Sequence, residues 1–355
     1  METETTTRPG IITLLSRVRA RLILATVVAL AALGVGAGLA FARSSTSTIG
    51  TGVVVVNTKL GYAGGAAAGT GIVLTSSGEV LTNNHVIQGA TSVDVVVPGT
   101  THHYSAKVVG YDVSADVAVI QLSSASNLKT ASLGDSSKVT TGQAVKALGN
   151  AGGSGTLTPV SGTVTGLGKS ITVGDGQSSS SERLTGLIET NVALEPGDSG
   201  GPLLNSDSQV IGMDTAASTS FTFRSAGAAD SYAIPINTAR TIAKQIESGT
   251  ASTAVHIGPT AFLGIEVAGT VGNFGFGGAA GGLIAGTVTG GPAASAGLTA
   301  GDVITAINGR TVSSPSTITS LLLTKKPGAK ITVAYTDQSA TSHVTTVMLG
   351  SGPAQ

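Results

Sequence analysis

A serine hydroxyl is a weak nucleophile at neutral pH, so a hydrolase that uses one needs a base beside it and donors where the oxyanion forms. The stretch Glu195-Pro196-Gly197-Asp198-Ser199-Gly200-Gly201-Pro202 has the composition for that task. Lacking a Cβ, Gly197 can turn its N–H, together with that of Ser199, toward a common point, while Gly200 and Gly201 leave room for a substrate. A glycine-rich turn between two strands is the plain alternative in a chain with 51 glycines. A base and an acid upstream weigh against it.

The base is His85. Val80-Leu81-Thr82-Asn83-Asn84-His85-Val86-Ile87 reads as a short apolar strand running into a polar turn that presents the imidazole, and imidazole is the side chain whose ordinary pKa suits proton transfer near neutrality. His102 and His103 lie in a polar stretch, and His256 and His343 fall outside the region assigned to catalysis. The acid is Asp116, which opens the apolar run Val117-Ala118-Val119-Ile120-Gln121-Leu122. A carboxylate at the edge of a core needs a partner, and His85 would supply one. Asp112 is the nearest competitor and reads as a turn or capping residue. The order His85, Asp116, Ser199 is the chymotrypsin-type order of base, acid and nucleophile.

At this point the chain resembles the HtrA (DegP/DegQ-like) family of trypsin-like serine proteases, in particular its exported bacterial members with one C-terminal PDZ domain. The matching strings are TNNHVI around His85, DVSADVAVIQL around Asp116, ALGN at Ala147 to Asn150, LEPGDSGGP around Ser199 and SYAIPI at Ser231 to Ile236. The resemblance covers almost everything after residue 50. It implies a mainly β chain in which two six-stranded barrels form a chymotrypsin-like protease domain, followed by a PDZ domain. His85 and Asp116 would come from the first barrel and Ser199 from the second.

The composition agrees with short strands and turns: charged residues make up 11% and aromatics 3%, with no Trp. The net charge is +0, which gives no reason to expect nucleic acid as a partner. The absence of Cys removes a thiol nucleophile, a zinc-thiolate site and disulfides together. Residues 1–21 form a basic region carrying Arg8, Arg17, Arg19 and Arg21, and 22–42 an apolar run without charge. Basic residues before such a run direct the downstream chain outside the cytoplasm. Ala40-Phe41-Ala42 is an A-x-A cleavage site, yet the run is long enough to span a bilayer, so both a signal peptide and a transmembrane anchor stay open.

The expected division continues with a linker at 43–51, the protease domain at 52–248, a second linker at 249–258 and the PDZ domain at 259–350. Short β-branched runs from Val53 onward, separated by Gly, Ser and Asn turns, predict about a dozen strands closing into barrels. Thr238 to Glu247 predicts a closing helix with Ile242 and Ile246 on its apolar face. Residues 168 to 186 read as a mobile surface loop; by position they resemble the loop that in HtrA proteases passes ligand occupancy to the oxyanion loop. HtrA proteases commonly trimerise through aromatics near the start of the protease domain. None lies between Phe41 and Tyr62, a departure that puts a trimer in doubt and leaves a homo-oligomer of open size as the expectation.

In the C-terminal part, Phe262-Leu263-Gly264-Ile265 resembles the carboxylate-binding loop of PDZ domains, where backbone N–H groups receive a peptide's end while the peptide adds a strand. Gly291 to Leu298 and Ala300 to Gly309 match the HtrA type of PDZ more specifically. Ser314-Pro315 starts a helix to about Thr324, with Ile318, Leu321 and Leu322 as its apolar face. Gly272 to Gly282 is a glycine-rich loop with no assignable chemistry.

In trypsin-like folds the residue six before the nucleophile sits at the base of the S1 pocket, and here it is Ala193. Thr215, Ala216 and Ala217 would form a wall. No carboxylate is present there to pair with Lys or Arg. Many HtrA proteases have Asn where this chain has Glu195 and Asp198; Asp198 must find a partner, a backbone N–H or Arg224, and activation is expected without trimming near Thr51. The reading is therefore an exported serine endopeptidase acting on unfolded or damaged polypeptides in the cell envelope. In it Ser199 is the nucleophile, His85 the base, Asp116 its orienter, and the Gly197 and Ser199 N–H groups the oxyanion hole. No metal or organic cofactor is implied. The alternative is a PDZ-dependent chaperone with little proteolysis. The pocket residues predict cleavage after small or medium aliphatic residues such as Val, Ala or Leu, mapped by mass spectrometry of digested casein; cleavage confined to Lys and Arg sites would contradict it.

Overall fold

Val53-Val54-Val55-Val56 is buried on both faces, as a β-branched strand must be when one side lines a barrel and the other is covered. The computed structural model describes residues 50–62, 64–174, 181–215, 230–268 and 281–354, with the side chains at 173–174 and 181–182 left outside the description. All but Gly50 belong to one compact unit, Thr51–Gln355. The expected basic region, the signal or transmembrane segment and nearly all of the first linker lie outside the described residues. Among the described residues no helix is long and apolar enough to cross a membrane.

The first barrel is built from β1 (Val53–Leu60), β2 (Gly65–Val73), β3 (Glu79–Thr82), β4 (Ser92–Val96), β5 (His103–Asp112) and β6 (Val117–Leu122). The strands run in the order β5-β4-β1-β2-β3-β6, and a β5–β6 pairing closes the ring. Val54, Val56, Val80, Val95 and Ile120 fill it. One helical turn, α1 (Asn84–Ile87), follows β3.

The second barrel comprises β7 (Ala144–Gly149), β8 (Thr158–Gly174), β9 (Ser181–Thr190), β10 (Pro202–Leu204), β11 (Val210–Thr215) and β12 (Ser231–Pro235), closed in the order β10-β11-β12-β9-β8-β7. Val145, Val164, Ile188, Leu203 and Ile211 form its core; full burial of each such side chain contributes roughly 1.5–3 kcal/mol. The expectation of a mobile loop over 168 to 186 is corrected here. β8 and β9 continue through it as a paired hairpin, with Lys169 opposite Leu187 and Ile171 opposite Leu184, and Ile171 and Leu184 are buried. Those two apolar residues, spaced among Gly and Ser, anchor the hairpin; only its tip, 175–180, lies outside the description.

The closing helix, α2, runs Ile236–Glu247, and its buried stripe is Ile236, Ala239, Ala243 and Ile246. Ile242, expected on that face, is half-buried. The stretch read as the second linker, 249–258, contains β13 (Val255–Ile257), which pairs with β5 of the first barrel.

The C-terminal module has its own core, including Leu263, Ile284, Leu298, Ile304, Ile331 and Val333. Its main sheet takes β15 (Ile265–Val267), β16 (Gly282–Thr287), β17 (Val303–Ile307), β19 (Lys330–Thr336) and β20 (Ser342–Met348) in that order, with β18 (Arg310–Thr311) beside β17. A separate pair joins β14 (Thr260–Phe262) to β21 (Gly350–Gly352). The helices are α3 (Pro292–Ser295) and α4 (Pro315–Leu323), where Pro315 takes the first turn and Ile318, Leu321 and Leu322 are buried. Most of the glycine-rich loop at 272 to 282 lies outside the described residues.

Module and first barrel touch at named contacts: Tyr111 Oη lies 3.0 Å from Thr260 Oγ1, and the Gly89 N–H donates to the Ala354 carbonyl at 2.9 Å. β13 fits against β5 because Gly110 has no side chain: a Cβ there would strike the His256 carbonyl oxygen and stand 2.9 Å from Ile246 Cγ2. Gly110→Ala is therefore expected to destabilise the fold by about 1–3 kcal/mol, seen as a lowered denaturant midpoint. An unchanged midpoint would show that the strands separate at no cost.

Candidate active site

The imidazole sits on a helical turn, not on the open turn that the polar Asn83-Asn84 suggested. Val86 and Ile87 are buried and pin α1 to the barrel. Asn83 makes no side-chain cap bond to the helix; its Nδ2 donates instead to the Asp116 carbonyl at 2.9 Å. Ahead of Asp116, Asp112 behaves as a turn residue, its Oδ1 accepting from Ser114 Oγ and the Ala115 N–H. That turn delivers Asp116 at φ 55°, a left-handed conformation that Asp tolerates better than most residues.

The carboxylate is nearly saturated with donors. Asp116 Oδ2 and Oδ1 lie 2.9 and 3.1 Å from His85 Nδ1. Oδ1 also accepts the His85 backbone N–H at 3.0 Å. Oδ2 accepts the Thr215 hydroxyl at 3.1 Å. A carboxylate only accepts, so the imidazole proton stays on Nδ1 and the lone pair is left on Nε2. The Asp116 side chain is 8% exposed and that of His85 36%, so the base faces solvent while its orienter is enclosed.

Ser199 is brought to this pair by backbone contacts. The Thr70 N–H donates to the Ser199 carbonyl at 2.8 Å, and Gly69 fills the gap between that carbonyl and Val86, next to His85: a Cβ at 69 would stand 3.2 Å from Ser199 O and 2.7 Å from both Val86 methyl carbons. On the other side the backbone of Asp214, the residue before Thr215, accepts the Gly200 N–H at 2.9 Å and donates to the Gly201 carbonyl at 2.7 Å.

Two peptide planes in the loop are fixed from outside it. The Pro196 carbonyl accepts the Gly152 N–H at 2.8 Å, and because the peptide is trans the Gly197 N–H points the opposite way. No hydrogen bond among the described residues uses that N–H. The Gly197 carbonyl accepts the Thr70 hydroxyl at 2.8 Å, and the same hydroxyl accepts the Asn150 N–H at 2.9 Å. Gly197 adopts φ 103°, and a Cβ there would overlap the Asn150 carbonyl oxygen.

Two buried acids lie beneath the loop. Asp198 Oδ2 accepts the Glu195 N–H at 2.9 Å, so a backbone donor is its partner; Arg224 lies outside the described residues. Burial pushes the Asp198 carboxyl up, against the lowering effect of that bond. Burial, and then the charge of Asp198, pushes Asp214 well above the usual carboxylate range.

Of the expected pocket residues, Ala193 is exposed on the loop before the nucleophile, Thr215 turns its hydroxyl to Asp116, and Ala216 lies outside the described residues. The expected peptide loop runs from Phe262 at the end of β14, through buried Leu263 and Gly264 at φ 77°, to Ile265 on β15. The Phe262 ring stacks on Tyr62 at 4.9 Å. The sequence reading missed Thr70, Asn150 and Gly152. Asn150, in the string ALGN, was the one residue of these with a signal; a Thr inside a strand and a Gly in a glycine-rich chain have none. Among the described residues no group of three or more His, Cys, Asp or Glu could hold a metal ion.

Residues 69–213 match the trypsin-like peptidase domain, and residues 261–347 match the PDZ domain. The serine protease PepD of Mycobacterium tuberculosis is 33% identical over 84% of this chain and 63% of its own length. The chain is similar to HtrA-type serine proteases across both of these domains. Further relatives are the periplasmic pH-dependent serine endoprotease DegQ of Escherichia coli, 32% identical over 74% of this chain and 55% of that protein, and the serine protease Do-like HtrA of Bacillus subtilis, 32% identical over 72% and 58%. The chain spans 63%, 55% and 58% of the lengths of these three relatives.

Thr70 ties β2 to the loop that carries Ser199. Thr70→Val would leave the Gly197 carbonyl and the Asn150 N–H buried without their partner, each at a cost of about 1–3 kcal/mol. A lowered melting temperature together with a fall in kcat larger than any change in KM for a peptide substrate is the expected result. Wild-type kcat would show that the hydroxyl does not hold the loop.

Proposed function

We propose that this chain is a serine endopeptidase that cleaves unfolded or damaged polypeptides outside the cytoplasm. The observation that carries the reading is the enclosed Asp116 carboxylate, which holds His85 through Nδ1 at 2.9 Å while the segment Gly69-Thr70 joins Ser199 to the helix bearing that histidine. In the proposed reaction Ser199 Oγ adds to the scissile carbonyl carbon as its proton passes to His85 Nε2. The imidazolium, stabilised by Asp116, returns the proton to the amine as the C–N bond breaks. Water then adds to the acyl-enzyme by the same route, releasing the acid and restoring Ser199. The N–H groups of Gly197 and Ser199 receive the oxyanion; the Gly197 N–H is directed by the Gly152–Pro196 bond and donates to nothing else among the described residues.

In this reading the small, neutral residue types at Ala193, Thr215 and Ala216 give a preference for small aliphatic side chains. The PDZ module takes polypeptide C-termini at Phe262-Leu263-Gly264-Ile265. Two features support that assignment: β15 is an edge strand able to accept another strand, and no hydrogen bond among the described residues uses the N–H groups of Leu263 and Gly264. Location outside the cytoplasm follows from the basic and apolar residues of 1–42 and agrees with the periplasmic naming of relatives such as DegQ. The segment 22–42 would act as a cleaved signal or as an anchor.

Incubation of the chain and of Ser199→Ala with unfolded casein tests the reading. The expected result is cleavage after Val, Ala or Leu that falls by about 10³-fold or more in the variant. Equal cleavage by the two proteins would overturn it.

A further inference from the structure

Two carboxyl groups lie beneath the nucleophile, and the proposed peptidase reaction uses neither. Asp198 is 2% exposed and Asp214 1%. One oxygen of each, Asp198 Oδ1 and Asp214 Oδ2, is fully buried with no hydrogen-bond partner among the described residues. The Gly201 N–H donates to the Asp198 carbonyl and its own carbonyl accepts the Asp214 N–H, so the two acids are tied to one residue, and two charged carboxylates there would repel each other with little solvent to screen them. One of them must therefore carry a proton.

The surroundings decide which. Asp198 has a donor for its charge, the Glu195 N–H. It is also pressed against Gly149, where a Cβ would overlap its carboxyl. Among the described residues no ion pair reaches Asp214. β10 carries no titratable side chain, and Tyr232 on β12 turns its hydroxyl to Glu189 at 3.3 Å. Among the described residues Lys146 on β7 and Arg240 and Lys244 on α2 form no ion pair with either acid, and Glu247 on α2 is an acid itself. Among the described residues the charge that acts on Asp214 is that of Asp198, and the charge that acts on Asp198 is that of Glu195. Meanwhile the backbone of Asp214 grips the chain just beyond Ser199, through Gly200 and Gly201.

We propose that Asp214 is a positioning residue for the nucleophile: its un-ionised carboxyl lets the Asp198 carboxylate hold the Glu195–Asp198 turn, and with it the Gly197 N–H, in the oxyanion-binding arrangement. When Asp214 loses its proton, the second buried charge opposes Asp198, the bond to Glu195 loosens, and turnover falls on the alkaline side. This rests on the peptidase reading, which supplies the turnover.

Two measurements test it. The first needs no activity. An acid held un-ionised in the fold but ionised in the unfolded chain lowers stability increasingly as pH rises above about 4, up to its folded-state pKa. Asp214→Asn abolishes that titration, so its melting temperature relative to wild type is expected to climb between pH 4 and pH 8; a difference independent of pH would overturn the proposal. The second compares kcat and KM against pH. Asp214→Ala is expected to lose about tenfold or more in kcat with KM nearly unchanged. Asp214→Asn, which keeps a neutral polar group, is expected to recover most of that loss and to lack the alkaline decline. An Asn variant with the wild-type pH profile would overturn the proposal. A wild-type chain that cleaves nothing would remove the peptidase reading, and the melting series would still decide whether Asp214 carries the proton.

Discussion

Three backbone carbonyl oxygens, those of Asn150, Thr70 and Leu148, press so closely on Gly197, Gly200 and Gly201 that a Cβ at any of the three would overlap one of them. This close approach is the constraint on which the rest of the site depends. It lets the nucleophile loop lie flat against β2 of the first barrel and against the end of β7, so that Ser199 belongs to both barrels. Thr215 completes the tie from the other direction, carrying a hydroxyl from β11 to the Asp116 carboxylate. Each barrel therefore holds a part that is incomplete alone: the imidazole and its acid on one side, the proposed nucleophile and oxyanion donors on the other.

Most of the proposed chemistry was legible because it sits in short strings whose residue types have few other uses. GDSGGP states where carbonyl oxygens must approach the backbone, and an aspartate opening a buried apolar run states that it needs a partner. The barrels were legible through the β-branched runs and their turn residues. What could not be read was support supplied by ordinary residues. Thr70 lies in Gly65-Ala66-Ala67-Ala68-Gly69-Thr70-Gly71-Ile72-Val73, where a threonine needs no explanation beyond strand preference; its hydroxyl acquires meaning only when folding sets it between Gly197 and Asn150. The hairpin at 168 to 186 was misread for a related reason. Its Gly and Ser content hid Ile171 and Leu184, which are enough to pin two strands to each other but too sparse to produce a pattern. In the same way Val255–Ile257 looked like connecting chain, and joined the first barrel because Gly110 leaves room for it.

In the proposed arrangement the acids beneath the loop stiffen the site with no ion pair to either acid among the described residues. Burial of a carboxyl group favours its neutral form, and a neutral acid beside a charged one leaves a single negative charge for the backbone N–H of Glu195 to satisfy. The loop is then held by hydrogen bonds throughout: Thr70 and Gly152 above, Glu195 and the Asp214 backbone below.

The central claim is that His85, held by Asp116, activates Ser199 and no other hydroxyl. Reaction with a fluorophosphonate, followed by mass spectrometry of the digested chain, measures this directly. The account predicts one adduct, on Ser199, formed in the intact chain and lost when His85 is replaced by Ala. An adduct on a different residue, or labelling of Ser199 at the same rate without His85, would contradict it.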